Sequence, residues 1–145
     1  LLLAVSSSLE GNVARLNSVF NTVVGRLRSL GLDVDADKTE FIHFTRSKSN
    51  PANDPFINIV PLSSPARTVR SLTVIRWLGV FFDRKLTFKD HVEKMAKCAM
   101  STVAGLRILA NTIRGLSVAN ARLLYKTVVL PVLTFASPVW YTGVK

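Results

Sequence analysis

Cysteine occurs once in this sequence, at Cys98, so no internal disulfide can form and no cysteine-rich zinc site can be assembled. Acidic residues are scarce too, nine Asp/Glu against nineteen Lys/Arg, for a net charge of +10. A glycine-rich phosphate loop is missing. His43 and His91 have no serine in a glycine-flanked turn to activate, so both are expected to be structural rather than hydrolytic. Long apolar runs are missing as well. The most apolar region, Leu123–Trp140, is broken by Lys126, Pro131 and Pro138, whereas a spanning helix needs about 20 mostly apolar residues. No membrane partner is expected, and a membrane-associated helical tail is the remote alternative. The opening "LLLAV" lacks the basic flank of a signal peptide, which points to an intracellular protein with nucleus and cytoplasm unresolved.

What is present begins with apolar bulk. At 145 residues and 48% hydrophobic content the chain can bury a core, as one domain or as a small domain plus part of another. It starts at Leu1 inside an apolar run, which reads as a fragment of something longer. The charge is uneven. Residues 1–50 carry six Lys/Arg and five Asp/Glu, a net of +1, whereas residues 51–145 carry thirteen and four, a net of +9. A basic half of this kind calls for a polyanionic partner, nucleic acid first.

Periodicity supplies the elements. Leu1–Val5 reads as a short buried strand, and the serines Ser6–Ser8 offer a helix cap. Val13, Leu16, Phe20, Val23, Val24, Leu27 and Leu30 form one helical stripe, closed by Gly31 where a left-handed cap is needed. Asp33, Asp35 and Asp37 alternate, but a calcium loop would need Gly and Glu where Lys38 and Phe44 stand. They read as a polar turn feeding a strand at Phe41–Phe44, and no metal ligand set is expected. Arg46–Arg67 reads as loop around a short strand at Phe56–Val60. A longer strand, covered on both faces, is expected from Thr73 to Phe82.

Thr87 then reads as the cap of a second helix, with Asp90 three residues on. Its inner stripe is Val92, Ala96, Ala99, Val103, Leu106 and Ala110. Lys94, Lys97 and Ser101 take the opposite face, and Cys98 is expected to pack on its flank. Gly115 and Ser117 separate this helix from another that runs toward Pro131. The fold class expected is α+β: a small antiparallel sheet with one packed helix, then a helical subdomain.

Three segments in order carry a resemblance. "GLDVDADKTEFIHF", "IRWLGVFFDRKLTFKDHV" and the tail "RLLYKTVVLPVLTFASPVWYTG" together resemble the reverse transcriptases of non-LTR (LINE-type) retrotransposons. The resemblance implies a partial palm at residues 1–82 and a helical, thumb-like region at 83–145. It implies that Lys38 contacts a nucleotide phosphate or protonates the leaving pyrophosphate. It places Trp77, Leu78 and Gly79 on the primer-grip hairpin, which holds the growing 3′ end; a glycine there would let a backbone come close to a sugar–phosphate chain. Arg84, Lys85, Lys89, Lys94, Lys97, Arg107 and Arg114 become the cations that grip the duplex backbone.

The partners implied are an RNA template, a DNA primer or RNA–DNA duplex, and the remainder of the polymerase polypeptide. Mg2+ is implied for the complete enzyme, held by a two-aspartate box that would lie upstream of "LLLAV". Without that box the chain is expected to be catalytically silent. The rival from another class is a non-catalytic, basic nucleic-acid-binding module.

Overall fold

In the computed structural model, which describes residues 1–6, 8–45, 55–60, 62, 65–110, 115–141 and 143, the first helix starts at a serine cap. This helix, α1 (Leu9–Ser29), follows Ser8, whose hydroxyl accepts the Gly11 N–H at 3.0 Å. It ends as expected at Gly31, φ +74°, where the N–H of Gly31 reaches the Arg28 carbonyl and that of Leu32 reaches Leu27, each at 3.0 Å. That paired closure requires a left-handed residue, which glycine adopts without steric cost.

The face that α1 buries rests on a hairpin. Strands β1 (Phe56–Ile59) and β2 (Arg67–Arg70) pair antiparallel, Phe56 opposite Arg70 and Ile59 opposite Arg67. Alternation puts Ile57 and Ile59 inward, where they join Phe41 as a core against Leu16 and Phe20 of α1, with Val34, Ala36 and Val69 at its edge. Burying each isoleucine is worth about 1.5–3 kcal/mol. On the outer face Thr68 donates to Asn58 across the ladder at 2.9 Å.

Two expected strands in this part do not form. Leu1–Val5 has no ladder partner among the described residues, and Leu1, Leu3 and Val5 are exposed. Apolar content without a neighbouring edge does not make a strand. The expected strand at Phe41–Phe44 shrinks to one parallel bridge, Ile42 with Leu72, fixed by Leu72 N–H to the Phe41 carbonyl at 2.8 Å. The expected strand at Phe56–Val60 is present as β1. Its partner β2 falls at the end of the segment read as loop, most of which (46–54, 61, 63, 64) lies outside the described residues.

The long strand expected over Thr73–Phe82 is two strands. Strand β3 (Val74–Trp77) turns at Leu78–Gly79 into β4 (Val80–Asp83). Both turn residues have positive φ, +49° and +85°, as a two-residue hairpin turn with right-handed strand twist demands. Helix α2 (Lys89–Leu109) follows and packs on β4. Its buried residues are His91 and Ala99, with Met95, Ala96, Thr102, Val103 and Leu106 half-buried along the same line; Val92 and Ala110, placed inward by the sequence reading, are exposed. Cys98 is exposed as well, not packed.

Ser117 caps α3 (Val118–Leu124), accepting the Asn120 N–H at 3.2 Å. The helix widens into a π turn over Tyr125–Val129 and continues past Pro131 as α4 (Leu130–Leu133), before the short α5 (Ser137–Trp140). Proline has no N–H and its ring presses on the carbonyl four residues back, so a widened turn just ahead of it lets the helix go on.

The chain is thus α+β, and it divides into compact units of residues 1–75 and 76–145, the division passing through β3. Among the described residues no helix is long and apolar enough to cross a membrane.

Candidate nucleic-acid interface

The turn between β3 and β4 presents Trp77 and Leu78 to solvent; the two are 45% and 77% exposed. A left-handed leucine costs about 1–2 kcal/mol relative to an ordinary conformation, and an exposed one gains nothing back from burial. Gly79 behind it is favoured twice over. Its φ of +85° suits glycine, and a Cβ there would stand 3.1 Å from two ring carbons of Phe135. The close neighbour of this glycine within the chain is therefore an aromatic ring.

The strand behind the turn is bracketed by aromatic and cationic groups. Trp77 lies 6.3 Å from Phe82, and Phe82 lies 5.7 Å from Phe88 in an edge-on arrangement. The Lys94 ammonium sits 3.6 Å from the centroid of the Phe81 ring, with the Arg76 guanidinium at 5.6 Å.

The junction from β4 to α2 is organised by Asp83, which the sequence reading passed over. Its carboxylate is buried and accepts the N–H groups of Lys85 (3.2 Å), Thr87 (3.0 Å) and Phe88 (2.6 Å), and the Thr87 hydroxyl (3.0 Å). Thr87 is therefore a donor to Asp83 rather than the helix cap; the cap position is Phe88, whose side chain caps nothing. Leu86 and Phe88 both have positive φ, +53° and +57°. Two strained residues in five persist because one carboxylate holds the backbone around them. Burial acts against the charge of Asp83, but the bonds from Thr87, Phe88 and Lys85 outweigh it and hold its pKa below the usual carboxylate value. An aspartate closing a strand four residues before a threonine was the available signal.

His91 ties the helix to both neighbours. It is fully buried; Nδ1 accepts the Phe81 N–H at 3.4 Å and Nε2 lies 3.1 Å from the Phe135 carbonyl. A carbonyl only accepts and a backbone N–H only donates, so the ring carries its proton on Nε2. The same carbonyl accepts the Trp140 indole N–H at 2.8 Å. His91 is structural, as its sequence context indicated.

Of the cations expected to line a duplex, Lys85, Lys89, Lys97 and Arg107 are exposed, and Arg84 is half-buried. Lys94 is exposed but leans on Phe81, and Lys97 also pairs with Glu93 at 2.6 Å, which raises the lysine pKa. Lys89, Lys97 and Arg107 lie away from the buried line of α2, so they share its outer face. Arg114 lies outside the described residues.

Lys38 belongs to the other unit. Its ammonium meets Asp35 at 3.0 Å with the side chain 86% exposed, and the hydrogen bond from Lys38 holds the Asp35 pKa below the usual value. Asp35 also accepts the N–H groups of Asp37 and Lys38, which makes the expected polar turn. Asp33 pairs with Arg28 and Asp37 with Arg67. The three aspartates each answer a different cation, and among the described residues no group of three acidic, His or Cys side chains could hold a metal ion. They do not fit a magnesium site.

Over 113 residues the chain is 26% identical to a Drosophila melanogaster protein described as a probable RNA-directed DNA polymerase from transposon X-element. The chain is similar to part of a transposon polymerase. The matched stretch makes up 78% of this chain and 12% of that relative. No family model matches the chain, and no solved structure matches it.

Proposed function

We propose that the chain is the late palm, primer grip and thumb of a non-LTR (LINE-type) retrotransposon reverse transcriptase. In this reading the β3–β4 turn holds the primer 3′ end, and Arg84, Lys85 and the outer face of α2 track the duplex backbone. The observation that carries it is the turn itself. An exposed apolar side chain in a strained conformation, beside an exposed tryptophan, lowers the stability of the free protein and suits a base pair laid against it. In this proposal the palm–thumb boundary stays at 82/83, whereas the compact units divide at 75/76, within β3.

RNA-directed DNA synthesis belongs, in this proposal, to the complete enzyme. Its magnesium ions would be held by carboxylates that are not among these residues, and the chain alone incorporates no nucleotide. Lys38 would exchange its exposed pairing with Asp35 for a nucleotide phosphate.

A second reading, a general basic module, is favoured by the exposed Lys85, Lys89, Lys97 and Arg107 taken by themselves. Fluorescence anisotropy with labelled duplexes separates the two. A primer–template with a recessed 3′ end is expected to bind about tenfold more tightly than a blunt duplex, with the preference lost in Trp77→Ala, since one stacked base is worth about 1–3 kcal/mol. Equal affinity for both duplexes supports the general binder. Weak binding that is indifferent to salt contradicts both readings.

A further inference from the structure

Phe135, His91 and Trp140 converge on the underside of the β3–β4 turn. The Phe135 ring stands close beside Gly79, two of its carbons 3.1 Å from where a Cβ would lie. The Phe135 carbonyl is held from two directions, by His91 Nε2 at 3.1 Å and by the Trp140 indole N–H at 2.8 Å. Through Nδ1, His91 also takes the Phe81 N–H from the strand that leaves the turn. Ring contacts close the group: His91 lies 6.3 Å from Phe81 and 6.2 Å from both Phe135 and Trp140.

Phe135 itself stands in a constrained place. Ala136, next to it, has φ +55°, so the chain reverses there in a left-handed step before α5 begins at Ser137. Such a step persists only where its surroundings fix it, and the two donors on the Phe135 carbonyl do so. The two bonds fix the backbone from which the phenyl ring reaches Gly79.

We propose that His91, Phe135 and Trp140 are positioning residues that set the shape of the Trp77–Leu78 tip, so that primer binding depends on a segment nearly sixty residues downstream of it. The inference rests on the reading of the turn as a primer contact. None of the three touches the nucleic acid in this arrangement; they act through Gly79 and the Phe81 backbone. The C-terminal segment is then part of the primer grip.

The test uses the full chain labelled with 5-fluorotryptophan. Its two tryptophans give two 19F resonances, assigned with Trp77→Phe. Phe135→Leu keeps the carbonyl and removes the ring from Gly79. It is expected to displace or broaden the Trp77 resonance, leave the circular dichroism spectrum unchanged, and weaken recessed-end binding about tenfold, the loss expected when a stacking contact is misplaced. His91→Gln, which can still donate to the Phe135 carbonyl, is expected to keep most of the affinity that His91→Asn loses.

Should Phe135→Leu fail to fold, Trp140→Phe keeps the Phe135 ring, removes the indole N–H with part of the indole ring, and is expected to move the Trp77 resonance in the same direction by less. A folded Phe135→Leu with the wild-type Trp77 resonance and affinity overturns the proposal. If Trp77→Ala leaves binding unchanged, the primer-contact reading itself has failed. A displaced Trp77 resonance in that case still shows that Phe135 shapes the turn.

Discussion

Replacing His91 with alanine is expected to remove about 3–5 kcal/mol of stability, the largest loss from any single substitution considered for this chain. The ring is 0% exposed and bonded at both nitrogens. Its removal opens a cavity among Phe81, Phe135 and Trp140, and leaves the Phe81 N–H without its acceptor. A unit of about 70 residues holds about 3.5–10 kcal/mol in total, so much of its stability disappears. Both tryptophans lie in that unit, so a denaturant titration followed by tryptophan fluorescence reports on it directly. His91→Gln, which retains one hydrogen bond and most of the volume, should fall between wild type and alanine. An alanine variant within about 1 kcal/mol of wild type would show that neither bond is structural.

Asp83→Ala should cost about 2–4 kcal/mol, because four donors lose a charged acceptor at once and two left-handed residues lose what fixes them. The discount from four full hydrogen bonds reflects their partly buried setting, beside the exposed residues Lys85 and Thr87, where water can replace part of what is lost. Asp83→Asn keeps one acceptor oxygen and turns an amide toward donors, so an intermediate loss is expected. The pH dependence has a definite sign. The folded-state pKa of Asp83 is lowered, so its contribution is complete above the ordinary carboxylate value of 3.8. It is lost as pH falls through the folded-state value. Stability measured from pH 6 downward should therefore drop more steeply in wild type than in Asp83→Ala. Parallel curves would contradict the role given to this carboxylate.

Local rules made α1 readable, because its cap, its apolar stripe and its terminal glycine all depend on residues close in sequence. The β3–β4 turn was hidden for a physical reason. Both alternating sets over Thr73–Phe82 are mostly apolar, and Leu78 is a poor turn residue, so apart from Arg76 only Gly79 interrupted the run. Strand β2 reads Arg-Thr-Val-Arg, which looks like loop until the register with β1 sets Val69 opposite Ile57 on the core face and Arg70 on the outer one. The start of α2 was misplaced because Thr87 has the chemistry of a cap, while the partner that takes the amides lies four residues earlier. Thr87 and Phe88 both donate to that partner, a relation that periodicity does not register.

The candidate site divides in the same way. The cations of α2 and the Trp77–Gly79 segment could be named from sequence, since charge and motif are local properties. The buttress from His91, Phe135 and Trp140 could not, because it depends on a carbonyl brought forty-four residues across the fold.

The most direct measurement is a photocrosslink from the primer terminus. A primer–template carrying 4-thiothymidine at the recessed 3′ end, irradiated with the full chain and mapped by mass spectrometry, is expected to form adducts within residues 76–83, at Trp77 or Leu78 foremost. A probe placed several nucleotides back along the duplex should move the adducts to Lys85, Lys89 or the outer face of α2. Adducts spread alike over the basic residues from both probe positions would contradict a primer grip at this turn.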